Sequence, residues 1–114
     1  MKHKITFRNM PHSQPLDEYV SAQLHKILKF LESEKDPRVI EVVLEAHHIH
    51  AHDRAEIHIK TPEYHVIATC EEPGVRMYEA IDRVLDHGYR QLREQKERKI
   101  GRQRSGKQDN YKGA

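Results

Sequence analysis

Seven apolar residues, Leu16, Tyr19, Val20, Leu24, Ile27, Leu28 and Leu31, recur at steps of three and four, and three later runs alternate apolar and polar residues at every second position. A period near 3.6 followed by a period of two leaves few folds open, because each pattern dries one face and the dry faces must meet. The first pattern predicts an amphipathic helix over 15–31. Pro15 suits its first turn, where a missing N–H costs nothing, and Ser13 or Gln14 can cap it. Its polar side carries Asp17, Glu18, Gln23, His25, Lys26 and Lys29. Asp36-Pro37 lies in the segment that stops the helix, because the residue before proline is driven to extended geometry.

Ahead of the helix, Ile5 and Phe7 alternate with Lys4, Thr6 and Arg8, which predicts a short strand. After it, Ile40, Val42, Leu44 and Ala46 alternate with Glu41, Val43 and Glu45; Ala55, Ile57 and Ile59 alternate with Arg54, Glu56, His58 and Lys60; and Val66, Ala68 and Cys70 alternate with His65, Ile67 and Thr69. A turn is expected across 47–52, and Thr61-Pro62-Glu63 reads as a hairpin connection. Beyond the loop Glu71-Glu72-Pro73-Gly74, the residues Val75, Tyr78, Ile81, Leu85, Tyr89 and Leu92 recur at helical steps, predicting a second helix to about residue 99. Within it Gly88 is a weak spot costing up to about 1 kcal/mol relative to alanine. The polar, glycine-containing stretch 100–114 is expected to be a disordered basic tail. The fold class that follows is α+β: β-α-β-β-β-α, a four-stranded mixed sheet with two helices packed on one face. The first crossover is right-handed and sets the first two strands parallel.

With 114 residues there is room for one domain. The formal net charge is only +2, but it is unevenly spread. Residues 1–82 hold 10 Lys+Arg against 14 Asp+Glu, a net of −4, whereas residues 83–114 hold 10 against 4, a net of +6. The single cysteine, Cys70, allows no intrachain disulfide framework, and the longest aliphatic run, Val42-Val43-Leu44, is far too short for a membrane span. The basic opening lacks an apolar core, so a cytoplasmic protein with no membrane partner is expected.

Helices that hide their apolar stripes on a shared sheet present their polar sides outward and side by side. Lys26 and Lys29 of the first helix are thus expected to share a surface with Arg83, Arg90 and Arg93 of the second, continued by Lys96. Such a basic groove suits a phosphate-rich partner, with arginine offering a bidentate fork. The plainer reading is a solvated helix face held by pairs such as Asp86 with Arg90, four residues apart. Ten histidines form a second lead: His48, His50 and His52 sit at alternate positions, and an extended backbone would turn all three to one side, as zinc or copper binding needs. Their place in an expected turn favours solvent-exposed imidazoles over a histidine-dependent metal-binding site. Catalysis has little support. Gly74 and Gly88 open no phosphate loop, and Cys70 occupies the inward register of its strand, where a small core residue is expected. No cofactor and no small-molecule substrate are expected.

Four segments carry a resemblance: Leu16-Asp17-Glu18-Tyr19-Val20 through Leu24-His25-Lys26-Ile27, then Asp53-Arg54-Ala55-Glu56-Ile57, Met77-Tyr78-Glu79-Ala80-Ile81-Asp82, and Arg90-Gln91-Leu92. In order and spacing the chain resembles the ribosome hibernation-promoting factor and ribosome-associated inhibitor family, also labelled sigma-54 modulation proteins, in a short form. The resemblance implies a ribosome-binding βαβββα domain over 1–99. It also implies a monomer that binds 16S rRNA of the small (30S) ribosomal subunit in the mRNA–tRNA channel, blocks the A and P sites and inhibits translation. Carried over by position, Lys26 matches the family's first-helix lysine and Arg90 its second-helix arginine, with Arg93 and Lys96 continuing that face. His87 stands where many members have lysine, and Arg76 where an acidic residue usually precedes Met-Tyr. The rRNA-binding residues expected are therefore Lys26, Lys29, Arg83, His87, Arg90, Arg93 and Lys96.

Overall fold

The alternating runs become four strands and the 3.6-period runs become helices, in the order β1 (Lys2–Arg8), α1 (Gln14–Gln23), α2 (His25–Leu31), β2 (Val39–His47), β3 (His52–Lys60), β4 (His65–Glu71) and α3 (Met77–Gly113). The computed structural model describes residues 2–47 and 52–113, with side chains at 3–47 and 52–101. The sheet order is β1-β2-β3-β4, with β1 parallel to β2 and the other neighbours antiparallel. This is the expected mixed sheet with its helices on one face.

Ser13 caps α1, its hydroxyl accepting from the Leu16 N–H at 3.4 Å. The single helix expected over 15–31 is interrupted at Leu24, where ψ opens to −10°. Backbone hydrogen bonds from Leu24 to Val20 and from Leu28 to Leu24, each 2.9 Å, run through the junction, so α2 follows α1 as a locally unwound continuation. Arg38 closes α2: its guanidinium donates to the Leu31 and Glu32 carbonyls at 3.2 and 3.1 Å, satisfying acceptors that a helix end leaves open.

The inward register of the strands (Ile40, Val42, Leu44, Ala55, Ile57, Ile59, Val66, Ala68, Cys70) meets Leu16, Val20, Leu24, Ile27 and Leu31 from α1 and α2, and Ala80, Ile81, Val84, Leu85 and Leu92 from α3. All are buried. Burial comes first among the causes that push the Cys70 thiol pKa up, as a core position requires. Gly88 is more than a weak point in α3. A Cβ built there would stand 3.1 Å from Ile57 Cγ2, so the missing side chain lets the helix lie close on β3.

On the outer sheet face Val43, in the outward register between Thr6 and Glu56, is buried. One expectation is corrected: Tyr78, counted in the apolar stripe of the second helix, is 48% exposed. In addition, α3 runs past the expected end near residue 99 and takes in 100–113; its Gln, Lys and Arg residues are good helix formers, and no proline interrupts them. The side chains of Gln91 and Gln95 donate to the Ile67 and His65 carbonyls of β4 at 3.4 and 2.9 Å, covering backbone acceptors on an edge strand.

Candidate nucleic-acid interface

Packing α1, α2 and α3 on one sheet face leaves a groove between them, a cavity of about 500 Å³ whose walls include Tyr19, Gln23, Lys26, Asp82, Asp86 and Tyr89. Its two ends differ in chemistry. At the α1 end the Tyr19 hydroxyl donates to Asp82 Oδ1 at 2.6 Å, and the Tyr19 and Tyr78 rings meet edge to face with centroids 4.8 Å apart. The hydrogen bond to Asp82 leads the causes that hold the Tyr19 phenol pKa above its ordinary value. This end is acidic and closed by side-chain contact.

At the α2 end the cations gather. Lys26 Nζ lies 5.8 Å from the centre of the Tyr89 ring and Arg93 Cζ lies 5.9 Å from it, so one cation from α2 and one from α3 share an aromatic platform. One turn on, Lys96 Nζ lies 5.3 Å from the centre of Phe30, whose ring packs against both Tyr64 and Tyr89. Each such contact contributes roughly 0.5–1 kcal/mol at an exposed site and, more to the point here, fixes the cation without neutralising it. Among the described residues Lys26, Lys29, Arg93 and Lys96 make no ion pair, and all four are exposed.

The remaining expected residues are placed differently. Arg83 donates to Glu72 at 2.7 Å and to Glu79 at 2.8 Å, on the flank of α3 that faces the β4 connection. Glu79 is the leading cause of the rise in the Arg83 pKa, a sign of a cation already compensated. His87, four residues on, shares that flank and is exposed. Arg90 stands exposed on the crest of α3, paired with Asp86 at 2.8 Å. The continuous basic surface expected over both helices is thus a compact patch at the α2 end, with Arg90 beside it and Arg83 and His87 turned away. The aromatic platform was legible only in part. Phe30 and Tyr64 pack on each other, and Tyr64 is buried, so the pair serves as scaffold beneath Lys96.

On the opposite sheet face His52 meets His47 and Glu71. Of the three histidines considered for metal, His48 and His50 lie outside the described residues. Among the described residues no helix is long and apolar enough to cross a membrane.

Solved structures share this fold. The Thermus thermophilus Protein Y N-terminal domain superposes with a TM-score of 0.64 at 27% identity, covering 78% of this chain and 91% of that one. A ribosomal subunit interface protein from Coxiella burnetii gives 0.63 at 18% identity, covering 83% and 98%, a likeness of fold. In sequence, the chain is 28% identical over 111 residues to the ribosome hibernation promotion factor of Deinococcus radiodurans, covering 97% of this chain and 57% of that relative's length. A family model described as "Sigma 54 modulation protein / S30EA ribosomal protein" matches residues 3–100, nearly all of the described chain. With motifs, strand order and helix placement in agreement, the chain belongs to the sigma 54 modulation protein / S30EA ribosomal protein family.

Proposed function

We propose that this chain is a hibernation factor that binds 16S rRNA of the small (30S) ribosomal subunit in the mRNA–tRNA channel and holds the ribosome idle by occupying the A and P sites. The action is steric and needs no catalysis. One observation carries the reading: Lys26 and Arg93 converge from two helices on Tyr89, with Lys96 on Phe30, giving a preorganised patch of cations uncompensated among the described residues. Folded rRNA presents phosphates at close, fixed spacing, and cations held by a rigid scaffold lose less freedom on meeting them than cations on a mobile loop. The name of the Deinococcus radiodurans relative and the family's description support a ribosomal partner. Lys26, Lys29, Arg93 and Lys96 make the central contacts and Arg90 an adjoining one, while Arg83 and His87, on the other flank of α3, contribute at most peripherally.

Gradient sedimentation with purified ribosomes and separated subunits tests this. The protein is expected to travel with the small subunit and with whole ribosomes, and to reduce mRNA and tRNA retention there. Failure to co-sediment at low salt, or co-sedimentation only with the large subunit, overturns the proposal.

A further inference from the structure

The open face of the sheet, away from the groove, carries a second constellation that the function above does not use. His47 ends β2 and His52 begins β3, and the strand register places them directly opposite one another. Their imidazole rings stack with centroids 5.0 Å apart and planes 23° from parallel. From β4, Glu71 reaches the same point: its Oε1 lies 3.4 Å from His47 Nε2 and 3.2 Å from His52 Nε2. Glu45 Oε2 also lies 3.2 Å from His47 Nε2.

These separations fit a shared cation. Two ligand atoms that each sit about 2.0–2.1 Å from a tetrahedral zinc ion lie about 3.3–3.4 Å from each other, the edge of the coordination tetrahedron. Two such edges, at 3.4 and 3.2 Å, meet at Glu71 Oε1. Hydrogen bonding accounts for only part of the arrangement. His52 Nε2 and Glu71 Oε1 are hydrogen-bonded, but His47 Nε2 is buried without a hydrogen-bond partner among the described residues, although two carboxylates stand near it. A buried ring nitrogen that makes no hydrogen bond and faces carboxylate oxygens is open to a cation placed between them. Glu71 is also oriented for the task, because Arg54 Nη1 lies 3.7 Å from Oε2, the oxygen other than the one near the imidazoles, and Arg54 is itself held by Glu56 at 3.0 Å. Such outer partners fix the direction in which a ligating carboxylate presents its free oxygen.

We infer that His47, His52 and Glu71 form a binding site for a divalent zinc-class cation that ties the β2–β3 end of the sheet to β4. Two imidazoles with a carboxylate suit zinc better than the all-oxygen cations calcium or magnesium. The site sits on the opposite face from the cationic patch and stands independently of the ribosome reading.

Tag-free, chelator-stripped full-length protein titrated with zinc chloride by calorimetry tests this, with cobalt(II) visible absorption reporting coordination geometry. One ion per chain is expected, with tetrahedral cobalt absorption and a rise in melting temperature on adding zinc. His47→Ala, His52→Ala and Glu71→Gln are each expected to weaken zinc at least about tenfold, and Arg54→Ala by about tenfold or more through loss of carboxylate orientation. Melting curves in chelator keep folding apart from binding, since Glu71→Gln preserves size and the variants are expected to melt near the parent temperature without metal. The double variant His48→Ala with His50→Ala is expected to bind zinc like the parent. Zinc binding untouched by His47→Ala and Glu71→Gln, or lost only in the His48/His50 double variant, overturns the assignment. So does binding of several weak ions with no thermal effect.

Discussion

The difference between compensated and uncompensated cations on α3 predicts how affinity for the small subunit responds to salt. For a phosphate-binding protein the slope of log affinity against log salt falls by about 0.7–0.9 for each phosphate neutralised. Lys26, Arg93 and Lys96 lie over aromatic rings and make no ion pair among the described residues, so replacing all three with alanine is expected to reduce the slope by about 2–3. Between about 50 and 200 mM salt, that is a difference of about 20–40-fold in how far affinity falls. Arg83, held by Glu72 at 2.7 Å and Glu79 at 2.8 Å, brings little uncompensated charge, and Arg83→Ala is expected to change the slope by less than about 0.3. All four positions are exposed, so each single replacement is expected to leave folding stability within about 1 kcal/mol, which far-UV circular dichroism melts check. Anisotropy of labelled protein titrated with small subunits across a salt series reads the slopes. Equal slope changes for Arg83→Ala and Arg93→Ala would refute the division of the α3 cations into a binding flank and a compensated flank. An unchanged slope in the triple variant would remove the patch itself.

Two further predictions concern the scaffold. At Gly88 the helix gain of alanine, about 1 kcal/mol, opposes a contact of 3.1 Å to Ile57, so Gly88→Ala is expected to stay within about 1 kcal/mol of the parent while Gly88→Val loses about 1–3 kcal/mol in urea unfolding; a valine variant as stable as the parent would show that α3 does not need the close approach. At Glu56, burial alone would raise the carboxyl pKa, but hydrogen bonds from His58 and Arg54 outweigh it and hold the pKa below the ordinary range. Its stabilising contribution is therefore present above the unfolded pKa of about 4.3 and is lost as pH falls through the lower folded value, so Glu56→Gln is expected to lower stability at pH 7 and to flatten the acid limb of a melting-temperature profile. An acid limb of unchanged steepness would count against it.

The strands and the core were readable because they rest on periodicity, and Ile57, Val66 and Ile81 lie where their patterns put them. The interruption at Leu24 was not readable, since apolar spacing and backbone hydrogen bonding both continue through it. The pairing of Arg83 with Glu79 was present as a four-residue spacing, but its pairing with Glu72 needed the path of the loop after β4. Separation in sequence hid the histidine cluster for the same reason. His47 and Glu71 are 24 positions apart and meet only through two antiparallel registers, whereas the visible alternation of His48, His50 and His52 drew attention to the intervening connection.

The shared motifs prove to be mostly scaffold. Tyr19 from the first motif meets Tyr78 and Asp82 from the third, joining α1 to α3 by a ring contact and a 2.6 Å hydrogen bond. Met77, Ala80 and Ile81 enter the core, and in the last motif Leu92 is buried while Gln91 covers the Ile67 carbonyl of the β4 edge. In the second motif Ala55 and Ile57 are core, and Asp53 lies 3.9 Å from Arg76, which precedes the third motif. That local ion pair stands apart from the cationic patch. A tyrosine–aspartate clamp at one end of the groove fixes the distance between helices, and that distance lets Lys26 and Arg93 reach the same ring at the other end. Resemblance in the motifs thus fixes where the helices lie, while the charge they present depends on Lys26, Lys29, Arg93 and Lys96, three of which lie outside the motif segments.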